Sequence, residues 1–255
     1  GYFTGIFPPE KQNLYLAAKV LKNLIKTHVC VYQKLKGLPG GNSSNIGFVK
    51  NLTQIKPWRN YHPVEKVFAW ISNHFYNDLI LHCLKTDAFK CRIPTFQFLN
   101  ETIPGASNSY DFIGLNYYSH NFLKFRFSKS PHFIPEYPLN EPKTDMPFTM
   151  YPQGFYDALK EVSTLGKPII VTENGIADIK DTLRAKWISD YLAQLRRALK
   201  DGMDIRGYFY WSLMDNYEWA EGYHMKFGLY EVDFATQERK LREGAKMYRK
   251  IINGV

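Results

Sequence analysis

Apolar positions along the chain switch between two periods. From about 12 to 36, Leu14, Ala17, Ala18, Leu21, Leu24, Ile25, His28, Val29 and Tyr32 recur at helical spacing. His28 lies on that apolar face, where a core histidine is expected rather than a ligand. The short apolar run IGFVKNL at 46–52 predicts a strand, closed off by Pro57. Val67, Phe68, Ile71, Phe75, Leu79 and Ile80 return to the helical period and predict a helix over 64–84. Residues 85–109 follow neither period and read as irregular. DFIGLNYY at 111–118 predicts the next strand, and Gly114 inside it marks a bend or a close backbone approach. The segment 119–150, rich in Pro, Phe and Ser, reads as a long loop, and loops of that length in a compact domain are usually functional. A helix over 153–165 leads into KPIIVTENG at 167–175. There Ile169, Ile170, Val171 and Thr172 predict a strand buried on both faces, opened by Pro168 and closed by Asn174 and Gly175. Leu183, Trp187, Ile188, Tyr191, Leu192, Leu195 and Leu199 form the stripe of a helix over 182–200, ended by Gly202. IRGYFYWS at 205–212 predicts the last strand. After an aromatic loop, Leu241, Ala245, Tyr248, Ile251 and Ile252 predict a final helix starting near 239.

Strand and helix thus alternate four times, which implies an α/β fold with a parallel sheet covered by helices. A whole eightfold barrel takes about 250 residues, so the 255 residues would allow one. Only four strands are legible, because the connections after them are long. The expectation is a C-terminal half barrel of about four βα units, preceded by the helix of a further unit, with residues 1–255 forming a single partial domain.

The chain is 45% hydrophobic and 16% aromatic, enough for a sizeable core. Its formal net charge of +9 is spread along the chain except over 239–250, where the cations read as the solvated face of the last helix. That spread argues against nucleic-acid binding. Cys30, Cys83 and Cys91 are an odd number with no CxxC pair, which argues against a disulfide framework and a zinc site and for reduced thiols in a cytoplasm. No apolar run approaches the 18 residues or so of a membrane span. The sequons at Asn42, Asn51 and Asn100 read as chance matches. The chain begins at Gly1 rather than Met, so a preceding segment is expected.

Two stretches carry candidate chemistry. Glu173 sits at the carboxyl end of a buried strand, where barrels place catalytic groups; the alternative is a strand-end carboxylate that simply meets solvent. The segment 211–223 places Trp211, Glu218 and Trp219 on one loop after a strand. Indole faces suit the C–H surface of a polyol, and a carboxylate accepts from paired hydroxyls. The alternative there is core tryptophans.

Together, KPIIVTENG, DFIGLNYY and WSLMDNYEWAEGYHMKFGL resemble family 1 of the glycoside hydrolases, the β-glucosidase type. The opening GYFTGIFPP, the helix around 23–31 and IGFVKNLTQIKP agree, and the match runs in register to Tyr248. The resemblance implies a (β/α)8 TIM-type barrel that hydrolyses small-molecule or oligosaccharide β-glycosides with retention. It implies two glutamates and no metal or organic cofactor. Glu173 matches the nucleophile, and Tyr118 the residue that hydrogen-bonds it. Asn116 matches a residue lining the sugar site, Trp211 the platform under the sugar, and Glu218 with Trp219 the pair holding the remote hydroxyls. Phe227 matches an aromatic beside the site, with Lys226 where an Arg is more usual.

A retaining glycosidase needs a second carboxyl group about 5 Å from the nucleophile. The family carries it in a T-x-N-E-P motif that should lie just before Gly1, so the partner expected for this chain is the N-terminal half of the barrel. Leu139-Asn140-Glu141-Pro142 and Phe98-Leu99-Asn100-Glu101-Thr102 imitate the motif but follow no strand in the right order, and both read as coincidence. Relatives acting on 6-phosphorylated sugars lack the carboxylate of Glu218, which would repel a phosphate, so unphosphorylated β-glucosides or close stereoisomers are expected. The alternative function is a non-catalytic carbohydrate-binding or receptor-like relative. A half barrel has open sheet edges, so the isolated chain is expected to be poorly stable and nearly inactive, without nucleic-acid or membrane partners.

Overall fold

In chain order the computed structural model contains α1 (Leu14–Lys36), β1 (Gly47–Asn51), β2 (Ile55–Pro57), α2 (Pro63–Asn73), a π-helical turn (His74–Asp78) and α3 (Leu79–Thr86). There follow β3 (Ala88–Ile93), β4 (Phe96–Thr102), β5 (Phe112–Asn116), β6 (Asn121–Phe125), β7 (Phe133–Glu136) and α4 (Pro152–Ser163). The chain ends with β8 (Ile169–Glu173), α5 (Arg184–Lys200), β9 (Ile205–Tyr208), β10 (Tyr230–Val232), β11 (Arg239–Leu241) and α6 (Ala245–Ile252). The structure describes residues 1, 2, 5, 7–93, 96–128 and 133–254, without the side chains of 92, 93, 96–98 and 133. Parts of the opening Gly/Pro loop and of the stretches 85–109 and 119–150 therefore lie outside the described residues. The chain divides into two units, Gly1–Phe48 with Val67–Phe112 and Val49–Lys66 with Ile113–Val255.

In the first unit, α1 starts where the Asn13 side chain accepts from the Leu16 N–H at 2.9 Å, an N-cap. Its apolar stripe buries Ala18, Ile25 and Val29 in one cluster with Leu79, Cys83, Phe89, Cys91, Ile103 and Ala106. His28 is half-buried at the edge of the core rather than inside it as expected, and it is satisfied, with Nε2 2.7 Å from the Ser109 carbonyl and Phe48 edge-on to its ring. The stretch read as irregular holds an antiparallel hairpin of β3 and β4. Its alternation is short and is broken by a register shift between Cys91 and Arg92, so no period-2 signal survives. Burial pushes the Cys83 and Cys91 thiols up to about 12. No disulfide occurs among the described residues.

The second unit carries the sheet. Its strands run in the order β1-β5-β8-β9, the order of the four expected strands. β5 and β8 pair in parallel, as do β8 and β9. A Cβ on Gly114 would come within 2.8 Å of Val49, the close approach its position in the strand implied. The stretch read as a long loop contains β6 and β7, which pair antiparallel, and β6 also pairs in parallel with β2. The final helix is shorter than expected. Arg239–Leu241 is a strand paired with Tyr230–Val232, because Asp233 accepts from the N–H groups of Ala235 and Thr236 and turns the chain into a hairpin. The last expected strand likewise stops at Tyr208, short of Trp211. Among the described residues no helix is long and apolar enough to cross a membrane.

Candidate active site

Glu173 closes β8, and the register sets it opposite Asn116, which closes β5. Both therefore stand at the carboxyl end of the parallel sheet, where α/β folds bind ligands. Tyr118, two residues past β5, donates from its hydroxyl to Glu173 Oε2 at 2.7 Å. Burial raises the Tyr118 phenol well above its usual range, and the Glu173 charge raises it further. Tyr118 thus stays protonated and acts as a fixed donor. Phe227 is buried edge-on against it, with centroids 6.0 Å apart. Thr172 donates to Asn116 Oδ1 at 2.6 Å and orients that amide.

The residues after Glu173 knit three chain segments together. Buried Asn174 donates to the Tyr117 carbonyl at 2.6 Å and accepts from the Tyr208 hydroxyl at 3.0 Å. Its own carbonyl accepts from the Trp211 N–H at 3.0 Å. At Gly175 a Cβ would sit 1.7 Å from the Trp211 carbonyl oxygen, so only glycine admits that backbone. Asn174 and Gly175 thus fix the position of Trp211, while Thr172 orients Asn116 and Glu173 receives Tyr118.

Glu218 precedes a short 3-10 turn, Trp219–Glu221, and is half-buried. Burial raises its carboxyl above the ordinary range, a hydrogen bond from the Trp211 side chain opposes the shift, and the Glu173 charge adds to it. Trp211, Glu218 and Glu173 thus share one electrostatic neighbourhood. Trp219 stands apart from them: it is 79% exposed and has a φ of 46°. Lys226 turns its ammonium over the Phe234 ring and to 4.0 Å from Asp215.

Three charged groups, Arg184 and Asp215 buried and Glu141 half-buried, were not singled out from the sequence as site-builders. Fully buried Arg184 donates to the carbonyls of Ile176, Asp178, Lys226 and Phe227, to the Tyr210 hydroxyl and to Asp181. It ties together the segments that carry Glu173, Trp211 and Phe227. Its signal was a cation three and four residues before Trp187 and Ile188, on their apolar stripe. Buried Asp215 accepts from the Gly228 N–H at 2.9 Å and from Arg242 at 2.7 Å, which pins the aromatic loop beside β11. Glu141 accepts from His120 Nε2 at 2.7 Å and from Thr149. It lies in a turn, while Glu101 lies in β4 paired with Lys22 and Lys26, so both imitations of the T-x-N-E-P motif are engaged with other partners.

The family model for glycosyl hydrolase family 1 matches residues 1–254. The chain is 32% identical to a β-glucosidase A of Acetivibrio thermocellus, over 99% of this chain and 60% of that protein. It is 30% identical to a β-galactosidase of Pyrococcus woesei, over 98% of this chain and 54% of the other. The solved β-glycosidase of Pyrococcus horikoshii superposes with a TM-score of 0.83 at 36% identity, over 98% of this chain and 57% of that one. The chain therefore spans 54–60% of the length of these relatives. The parallel sheet and its helices are part of a barrel of the (β/α)8 type.

Proposed function

The chain belongs to glycosyl hydrolase family 1, and on that premise we propose that it supplies the nucleophile half of a retaining β-glycosidase. The observation that carries this reading is the 2.7 Å hydrogen bond from Tyr118 to Glu173 Oε2 at the sheet's carboxyl end. With Oε2 held by a phenol, Oε1 is the oxygen left to attack. It bonds to the anomeric carbon, the bond from that carbon to the leaving oxygen breaks, and a glycosyl ester forms. A second carboxyl group about 5 Å away protonates the leaving oxygen and then takes a proton from the water that cleaves the ester. That group is assigned to a segment outside these 255 residues, the N-terminal part of the barrel.

Asn116, Trp211, Glu218 and Phe227 hold the sugar in this reading, with the exposed Trp219 at the outer edge of the same loop. Glu218 beside Trp211 favours paired hydroxyls, and a phosphate there would meet a carboxylate, so the substrate class is unphosphorylated β-glucosides or their close stereoisomers. An aryl 2-fluoro-β-glucoside with a good leaving group needs little acid assistance and tests the assignment. Mass spectrometry should find a stable glycosyl ester on Glu173. No ester, even after the N-terminal part is supplied, would point instead to a carbohydrate-binding protein without catalysis.

A further inference from the structure

We propose that Glu141 is a positioning residue for the leaving-group side of the site, acting through His120 and Thr149 on the 141–150 loop and its Phe148. This rests on the glycosidase reading for what the loop faces, and on the following geometry for how the loop is held.

One carboxylate oxygen, Glu141 Oε2, receives both the His120 ring N–H and the Thr149 hydroxyl. His120 is 1% exposed, stacked on Tyr151 at 3.9 Å and met edge-on by Phe122. Burial lowers its pKa while Glu141 opposes the shift, so the neutral ring donates from Nε2. Its Nδ1 is left buried with no hydrogen-bond partner among the described residues. Buried polar atoms are rarely left so, and the ring orientation that strands Nδ1 is the one that delivers Nε2 to Glu141.

The two ends of the loop meet at this carboxylate. Met150 N donates to the Pro142 carbonyl at 2.9 Å, and Thr144 N to the Phe148 carbonyl at 3.1 Å. Ser119, next to Tyr118, donates to the Thr149 carbonyl at 2.6 Å. On its far side the loop reaches the segment that follows Glu173: Asp145 N donates to the Ala177 carbonyl, and Ile179 N donates to Asp145 at 2.6 Å. The loop thus bridges the segments after Tyr118 and after Glu173. It sets the half-buried Phe148 ring 6.1 Å from the Tyr118 ring, an apolar wall suited to an aryl or alkyl leaving group. Glu141 acts here only as an acceptor, so an amide oxygen can replace it.

The test compares the wild-type chain with Glu141→Ala, Glu141→Gln and Thr149→Val. Two quantities are read: hydrogen exchange of residues 141–150, and dissociation constants for glucose and for phenyl 1-thio-β-glucoside, which is not hydrolysed. Losing the hydrogen bonds to the carboxylate should raise loop exchange and weaken the phenyl ligand relative to glucose, each about tenfold, in Glu141→Ala. Thr149→Val, a near-isosteric change, should shift both in the same direction by less, and Glu141→Gln should restore both to near wild type. Unchanged loop exchange in the Ala and Val variants overturns the proposal, as does an equal loss for both ligands. If Glu141→Ala fails to fold, Thr149→Val and Glu141→Gln decide. A wild-type chain that binds neither ligand even with the N-terminal part supplied refutes the glycosidase reading, while the exchange data still decide how the loop is held.

Discussion

The Tyr118 hydroxyl reaches Glu173 Oε2 at 2.7 Å from a ring clamped between Phe148 and Phe227. Those ring contacts do not depend on the hydroxyl. Tyr118→Phe should therefore keep the fold and lose only the donor. Hydrogen bonds to charged groups contribute about 1.5–3 kcal/mol, so labelling of Glu173 by the activated fluoro-glucoside should slow by about 10–100-fold. The urea midpoint should stay near wild type, and a labelling rate equal to wild type would remove Tyr118 from the mechanism.

Glu218 should make stability fall as pH rises. Its carboxyl is raised in the folded chain, first by burial, so the folded state holds that proton more tightly than the unfolded state does. The charged form is thus disfavoured on folding, and the loss develops as pH climbs from the ordinary carboxylate range, about 4.3, through the raised value. Glu218→Gln should flatten that part of a melting-temperature profile against pH. A profile identical to wild type would contradict the assigned environment.

Lys50 offers the opposite slope. Burial brings its pKa from 10.5 down to about 8, with a small opposing effect from Glu161. Between those values the unfolded chain binds more protons than the folded chain, so stability should rise with pH across that window. At pH 7 both states are charged and the burial cost is present in full, of the order of 3 kcal/mol. Lys50→Met should therefore gain about 1–3 kcal/mol in urea denaturation at pH 7, and the gain should shrink toward pH 10.

Asp215 and Arg242 form a buried pair at 2.7 Å. Removing one partner leaves the other charge buried, which typically costs about 3–5 kcal/mol. Arg242→Met should lose that much in urea unfolding, because Asp215 then keeps the Gly228 and Val232 N–H groups and the Lys226 ammonium at 4.0 Å but no close charged partner. A loss below about 1 kcal/mol would show that solvent reaches Asp215.

The readable parts of the chain were those whose chemistry is local. The continuous apolar run of β8 and the helical stripes of α1 and α5 carry their own period, and Glu173, Tyr118, Trp211 and Glu218 fall in motifs of contiguous residues. The β3–β4 hairpin was hidden because its alternation breaks at Cys91 and Arg92. The strand at 239–241 looked helical because Leu241 happens to fall in phase with Ala245 and Tyr248, while the turn chemistry of Asp233 decides the matter. Arg184 was passed over for a related reason. A charge on an apolar stripe looks like an interruption until six acceptors converge on it, three of them 26 to 43 positions away. Glu141 was read only as an imitation of the T-x-N-E-P motif, and its bonds to His120 and Thr149 join residues 21 and 8 positions away, beyond any local period.

Arg184 also bears on how the site responds to heat. Most of the second unit is held by apolar burial, whose strength per unit area levels off as temperature rises. The scaffold behind Glu173, Trp211 and Phe227 is instead a desolvated guanidinium with six acceptors. Hydration of charged groups becomes less favourable on warming, so the penalty for keeping Arg184 out of water declines as the temperature climbs. The geometry around the carboxylate is thereby anchored by an interaction that weakens late, and warming should loosen the helix surfaces and hairpins before it loosens the loops that meet at Arg184.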